Sequence, residues 1–155
     1  LDHAVAGDLQ SLLKENVGSH DRERISKELK DEAKYKEAAD KVRGAWKKRY
    51  GSDFAAAEHS RFANSFAIDA GKDENHADVK IEGSGVKQSL YLHLHKEKSG
   101  EWVIALPDSV TGDNFESSML EQMKSLADEK DWPNSVDEGY RHAAAHLLRP
   151  LQYKK

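Results

Sequence analysis

The sequence predicts an α+β domain: two or three N-terminal helices, a short antiparallel sheet of about four strands, and two C-terminal helices. Three observations carry that prediction. Apolar residues recur at three- and four-residue spacing up to residue 50, alternate with polar ones between 64 and 107, and return to helical spacing from 112 to 149. At 155 residues the chain fits one domain spanning 1–155.

The first segment sets Val5, Leu9, Leu12, Leu13 and Val17 on one helical stripe, and Gly18 is expected to stop it. Ser19 is expected to cap a second helix, with Asp21 and Glu23 in its first turn and Ile25, Leu29 and Ala33 along its apolar line. From about Asp31 a longer helix follows, since Tyr35, Ala39, Val42, Trp46 and Tyr50 share one face. Lys47, Lys48 and Arg49 suit its carbonyl end, and Gly51 supplies a residue that tolerates left-handed backbone. Whether a break near Lys30 separates the second and third helices is left open by the spacing.

Four strands follow. Phe66 and Ile68 share a face of the first, Val79 and Ile81 a face of the second, and Gly83, Ser84 and Gly85 mark the next turn. In the third, Leu90, Leu92 and Leu94 alternate with Tyr91, His93 and His95. In the fourth, Trp102, Ile104 and Leu106 alternate with Val103 and Ala105, after a hairpin at Lys98, Ser99 and Gly100. Pro107 ends the ladder because it has no N–H to donate.

Each C-terminal helix is expected to open on a capping box, Asp113 with Glu116 and Ser135 with Glu138. Phe115, Met119, Met123 and Leu126, with Leu120 and Ala127, form the core stripe of the first. Val136, Tyr140, Ala143 and Leu147 form that of the second, which Arg149 and Pro150 terminate. Trp132 and Pro133 lie between them.

Composition excludes several classes of function. The net charge is −4 with both signs interspersed, so there is no basic footprint for nucleic acid. With no cysteine, disulfides, thiol catalysis and zinc ribbons are ruled out. No apolar run approaches the ~20 residues of a membrane-spanning helix. The chain starts at Leu1, which fits a processed export signal or a trimmed end. There is no GxGxxG, Gly-rich phosphate loop or GxSxG elbow.

Histidine spacing is the most suggestive chemistry. His142 and His146 are i, i+4 on a helix, and His93 and His95 are i, i+2 on a strand, so either pair could offer two imidazoles to one metal. Projected at 100° per residue, however, His142 and His146 fall with Glu138 and Arg149 opposite Tyr140, on the face expected to meet water. The histidines of the third strand are likewise expected outside if its leucines turn inward. The expectation is therefore no bound metal and no cofactor. A second candidate is an acid–base pair of Asp69 with a third-strand histidine, giving a ligand surface of Tyr91, His93, His95 and Asp69. The run Lys47–Arg49 is assigned to the helix terminus, and Trp46 and Trp102 to the core.

The segment Ala77 to Leu106, with ADVKIEG, a strand ending HLHKE, a Gly turn and EWVIALP, resembles the central hairpins of NTF2-like domains. That resemblance implies a cone-shaped α+β fold whose curved sheet encloses a pocket. The pieces AWKKRYGSDF and DWPNSVDEGYRHAAAHLL are similar to segments of uncharacterised exported bacterial proteins, which implies an extracytoplasmic, periplasmic location.

Together these observations predict a soluble, non-catalytic domain that binds a small ligand or a protein partner on the sheet's concave face. The alternative is a small hydrolase- or isomerase-like enzyme using a sheet-face histidine with a carboxylate, or a histidine-held metal. Self-association as a homodimer is a third expectation, because amphipathic helices can hide an apolar face against a second copy.

Overall fold

The computed structural model describes residues 1–59, 74–81 and 90–152, and the backbone of 67–70. Within these residues the helices are α1 (Asp2–Val5), α2 (Leu9–Asn16), α3 (Ser19–Ser26), α4 (Glu32–Tyr50), α5 (Gly112–Ala127) and α6 (Val136–Leu147). The strands β1 (Ala67–Ala70), β2 (His76–Ile81), β3 (Leu90–Lys96) and β4 (Trp102–Ala105) lie between α4 and α5, and one 3-10 turn follows α6 at Arg149–Leu151. This is the expected α+β class, with helices flanking a short antiparallel sheet. No described helix is long and apolar enough to cross a membrane.

The N-terminal region holds four helices rather than two or three. Val5, Leu9, Leu12, Leu13 and Val17 are all buried, but Gly7, at φ 75°, splits their stripe into α1 and α2. Asp8 then caps α2 by accepting from the Ser11 N–H at 3.0 Å. Gly18, not Ser19, is the N-cap of α3. Ser19 is the first helical residue, and its N–H donates at 3.3 Å to Glu97, which arrives from the β3–β4 hairpin.

The break near Lys30 is real: α3 ends at Ser26 and α4 begins at Glu32, which leaves Ala33 exposed instead of on an apolar line. Glu116 holds the break. Its fully buried carboxylate accepts from the Lys30 and Asp31 N–H groups at 3.1 and 3.2 Å. The capping box expected of Asp113 and Glu116 is therefore made by other residues. Thr111 caps α5 by accepting from the Asn114 N–H at 3.2 Å, and the Asn114 side chain accepts the Thr111 N–H in return at 2.8 Å. A Cβ at Gly112 would overlap Glu28, so the start of α5 sits as close to α3 as a glycine allows.

The long helix α4 ends as its sequence predicts, with Gly51 at φ 75° returning its N–H to the Lys47 carbonyl at 2.8 Å. Trp46 lies at the centre of an aromatic group with Tyr50, Phe54, Trp132 and Tyr140.

The sheet is a meander in the order β1-β2-β3-β4. Its register sets Ile81 beside Leu90, Val79 beside Leu92, and Ala77, Leu94 and Ile104 in one row; this face packs on the helices. Ile68 is the register partner of Val79. Phe66 and the turn at Gly83, Ser84 and Gly85 lie outside the described residues. The opposite face carries the rows Lys80–Tyr91, Asp78–His93–Ala105 and His76–His95–Val103. The outer edge of β4 is shielded by the α2–α3 junction, where Val17 bridges Ile104 and the Gly18 N–H donates to the Ile104 carbonyl at 3.1 Å.

Trp102 departs from expectation. It shares the core face with Ile104, but it sits opposite Lys96 at the hairpin end, and 46% of it is exposed. Alternation assigns a face, whereas burial also requires a helix above that row.

Candidate metal centre

The connection between α5 and α6 builds the site. Ser135 caps α6 by accepting from the Glu138 N–H at 3.2 Å, and Asp137 and Glu138 occupy the first turn, where the dipole favours carboxylates. Tyr50 on α4 packs so closely on Gly139 that a Cβ there would overlap its ring. The Tyr50 hydroxyl donates to the Pro133 carbonyl at 2.7 Å, and Arg49 reaches the same carbonyl and the Asn134 side chain, each at 3.2 Å. Trp132 is thereby folded inward, edge-on to Trp46 at 5.8 Å and to His142 at 5.6 Å. The connection lies over α6 and brings Glu129 to it.

His142 is consequently 3% exposed, not on a solvated stripe as the helical projection predicts. The projection fails because α6 is covered on more than one face: Ala143, Ala144 and Ala145 are all buried, and so is Gly139 beneath Tyr50. His146 is half-buried one turn further on, its ring centroid 4.9 Å from that of His142 at an interplanar angle of 65°.

Glu129, His142 and His146 each offer a ligand atom, and the three atoms lie within 4.8 Å of one another. The closest approach is 3.1 Å, from His142 Nε2 to Glu129 Oε2. Zinc bonds of about 2.0–2.1 Å in tetrahedral array place ligand atoms roughly 3.3 Å apart, so small side-chain rotations would close this set around an ion.

Supporting hydrogen bonds orient the donors. The Asp131 N–H holds Glu129 Oε1 at 3.0 Å, while Oε2 faces His142. His146 Nδ1 lies 2.9 Å from Gln122 Oε1, an oxygen that only accepts, so Nδ1 carries the ring proton and Nε2 keeps its lone pair.

The charge states suit a metal as well. The Asp131 N–H, with a lesser contribution from His142, holds the Glu129 carboxyl below its ordinary value. Burial, reinforced by His142 and Arg149, lowers His146 to about 4. Near neutral pH the site thus presents a carboxylate and a neutral imidazole.

The strand histidines form a separate arrangement. His93 Nδ1 meets Asp78 Oδ1 at 2.7 Å, and His76 stacks on His93 with centroids 5.7 Å apart. Asp69 is the register partner of Asp78 and so stands in the row of His93, two strands away. His95 lies against Gly18, and Tyr91 is 43% exposed. Among the described residues, the groups of three or more metal-capable side chains include neither His93 nor His95. The strand and helix pairs therefore do not assemble a four-nitrogen site.

A second such group, His20, Asp21 and Asp108, serves the fold: the Asp21 oxygens already accept from Leu106 N–H and Arg24, each at 3.1 Å. Compared with known proteins, the chain matches no family model, no curated protein and no solved structure.

Three residues of these sites escape the sequence reading: Glu129, Gln122 and Asp78. Strand register points to Asp78, which alternation places on the polar face opposite His93. No periodic signal marks Glu129, whose position depends on how the connection folds back.

Proposed function

We propose that this protein binds a divalent transition metal of the zinc class through Glu129, His142 and His146. One observation carries the proposal: two imidazoles and a carboxylate converge within 4.8 Å, with Gln122 and the Asp131 N–H supporting two of the three. Glu129 keeps the site open to water, since 23% of its side chain is exposed. His142 Nε2, Glu129 Oε2 and His146 Nε2 would hold the ion, and the proton shared by the first two would pass to solvent as it binds. Three protein ligands would leave a tetrahedral ion one position for water or a small ligand.

The proposal is one of binding, in keeping with the expected non-catalytic domain, but with an ion as ligand and a helical joint as site. The exported location implied by the sequence resemblance would suit a protein that meets its metal outside the cytoplasm. An NTF2-like sheet would leave Tyr91, His93 and His95 for a different ligand.

Calorimetric titration of metal-stripped protein with zinc chloride tests the reading. One equivalent is expected to bind, with affinity lost in His142→Ala and His146→Ala and retained in His93→Ala. Gln122→Ala is expected to weaken binding about 10–100-fold. Equal affinity in wild type and His146→Ala would rule the site out.

A further inference from the structure

Gln122 also lines a cleft of ≈ 790 Å³ between α5 and the segments that precede α5 and follow α6. That size suits a small organic molecule. Ser118 and Gln122 line one wall, and Val110 and Pro150 add apolar surface. Arg149 is the cation of this lining, and Glu121 its acid.

Arg149 and Arg141 differ from the other described arginines, and of these two only Arg149 lines the cleft. Arg22, Arg24, Arg43 and Arg49 donate to acceptors on the chain. Half-buried Arg149 has no such acceptor among the described residues. Its charge favours the carboxyl end of α6, yet that leaves the planar fork of N–H donors without a partner. Gln122 contributes a further donor, because its Oε1 is taken by His146 and its amide NH₂ is left to donate.

We propose that this cleft binds a small organic carboxylate, with Arg149 holding the carboxylate and Gln122 and Ser118 supplying further hydrogen bonds. A guanidinium matches a carboxylate edge-on through two parallel hydrogen bonds, and Val110 and Pro150 suit an apolar body. A single cation beside Glu121 leaves a multiply charged inorganic phosphate under-neutralised. The inference does not depend on the metal.

Amide NMR titrations of metal-stripped protein in phosphate-free buffer test it, with benzoate, its neutral isostere benzamide and inorganic phosphate as probes. Benzoate at millimolar concentration is expected to shift the amides of Ser118, Gln122 and Arg149, with benzamide leaving them unmoved. Arg149→Gln is expected to weaken benzoate at least tenfold, and Arg149→Lys, which keeps the charge without the fork, by an intermediate factor. Three results would overturn the proposal: benzamide matching benzoate, phosphate binding more tightly than benzoate, or unchanged affinity in Arg149→Lys and Arg149→Gln. The comparison of benzoate with benzamide needs no variant, so it stands even if a substitution disturbs folding.

Discussion

His142 Nε2 lies 3.1 Å from Glu129 Oε2, joining the buried side of α6 to a carboxylate on the connection that precedes it. The contact makes that connection part of the candidate site, so the proposed metal affinity would depend on how firmly the connection is held.

The first consequence is a pH dependence of stability. His146 titrates at about 4 in the folded protein against an ordinary 6.5, so between these values the unfolded chain holds more protons. Stability without metal should be level above pH 6.5 and fall as pH drops toward 4. Glu129, also lowered, adds to the loss at the acid end. Urea unfolding of metal-free protein across this range should show the slope, and His146→Gln should flatten it. Zinc affinity should fall in the same direction, because protons compete for Nε2.

Tyr50 tethers the connection. Tyr50→Phe removes the hydrogen bond to the Pro133 carbonyl while keeping the ring over Gly139, and is expected to cost about 1 kcal/mol in urea unfolding. It should also weaken zinc binding, because Glu129 sits on the loosened segment. An unchanged zinc affinity would show that Trp132 and Arg49 suffice to place Glu129.

Glu116 and Asp113 should separate sharply. Glu116→Ala strips a fully buried carboxylate from two backbone N–H groups and should cost about 3 kcal/mol. Asp113→Ala removes an exposed pair with Lys30 and should cost less than about 1 kcal/mol. Comparable losses would contradict the role of Glu116 in holding the break before α4.

The tryptophans give a similar contrast. Trp46→Ala empties the centre of the aromatic cluster and is expected to cost about 3–5 kcal/mol, whereas exposed Trp102→Ala should stay within about 0.5 kcal/mol. Thermal unfolding of the two variants measures the difference.

The sequence foretells the elements whose signals are local. Tyr35 to Gly51 announces a helix by spacing, cations and a left-handed stop, and Leu90 to Leu94 announces a strand by alternation. Gly7 interrupts a stripe that is otherwise continuous, so α1 and α2 read as one helix. Glu116 lies beyond local rules, because its partners Lys30 and Asp31 are some 85 positions away. The proposed metal site is half legible. The i, i+4 pair of His142 and His146 is visible in the sequence, but their burial depends on Tyr50 over Gly139 and on Trp132 folding inward. The consecutive alanines 143–145, with Gly139, were the available hint that α6 is covered on several faces.

Imidazole nitrogen NMR during a zinc titration tests the proposed site most directly, since it reports each histidine by itself. The account predicts that the nitrogen signals of His142 and His146 shift together and saturate at one equivalent, while those of His93 and His95 stay in place. Shifts appearing first at His93 or His95, or none at His142 and His146, would contradict it.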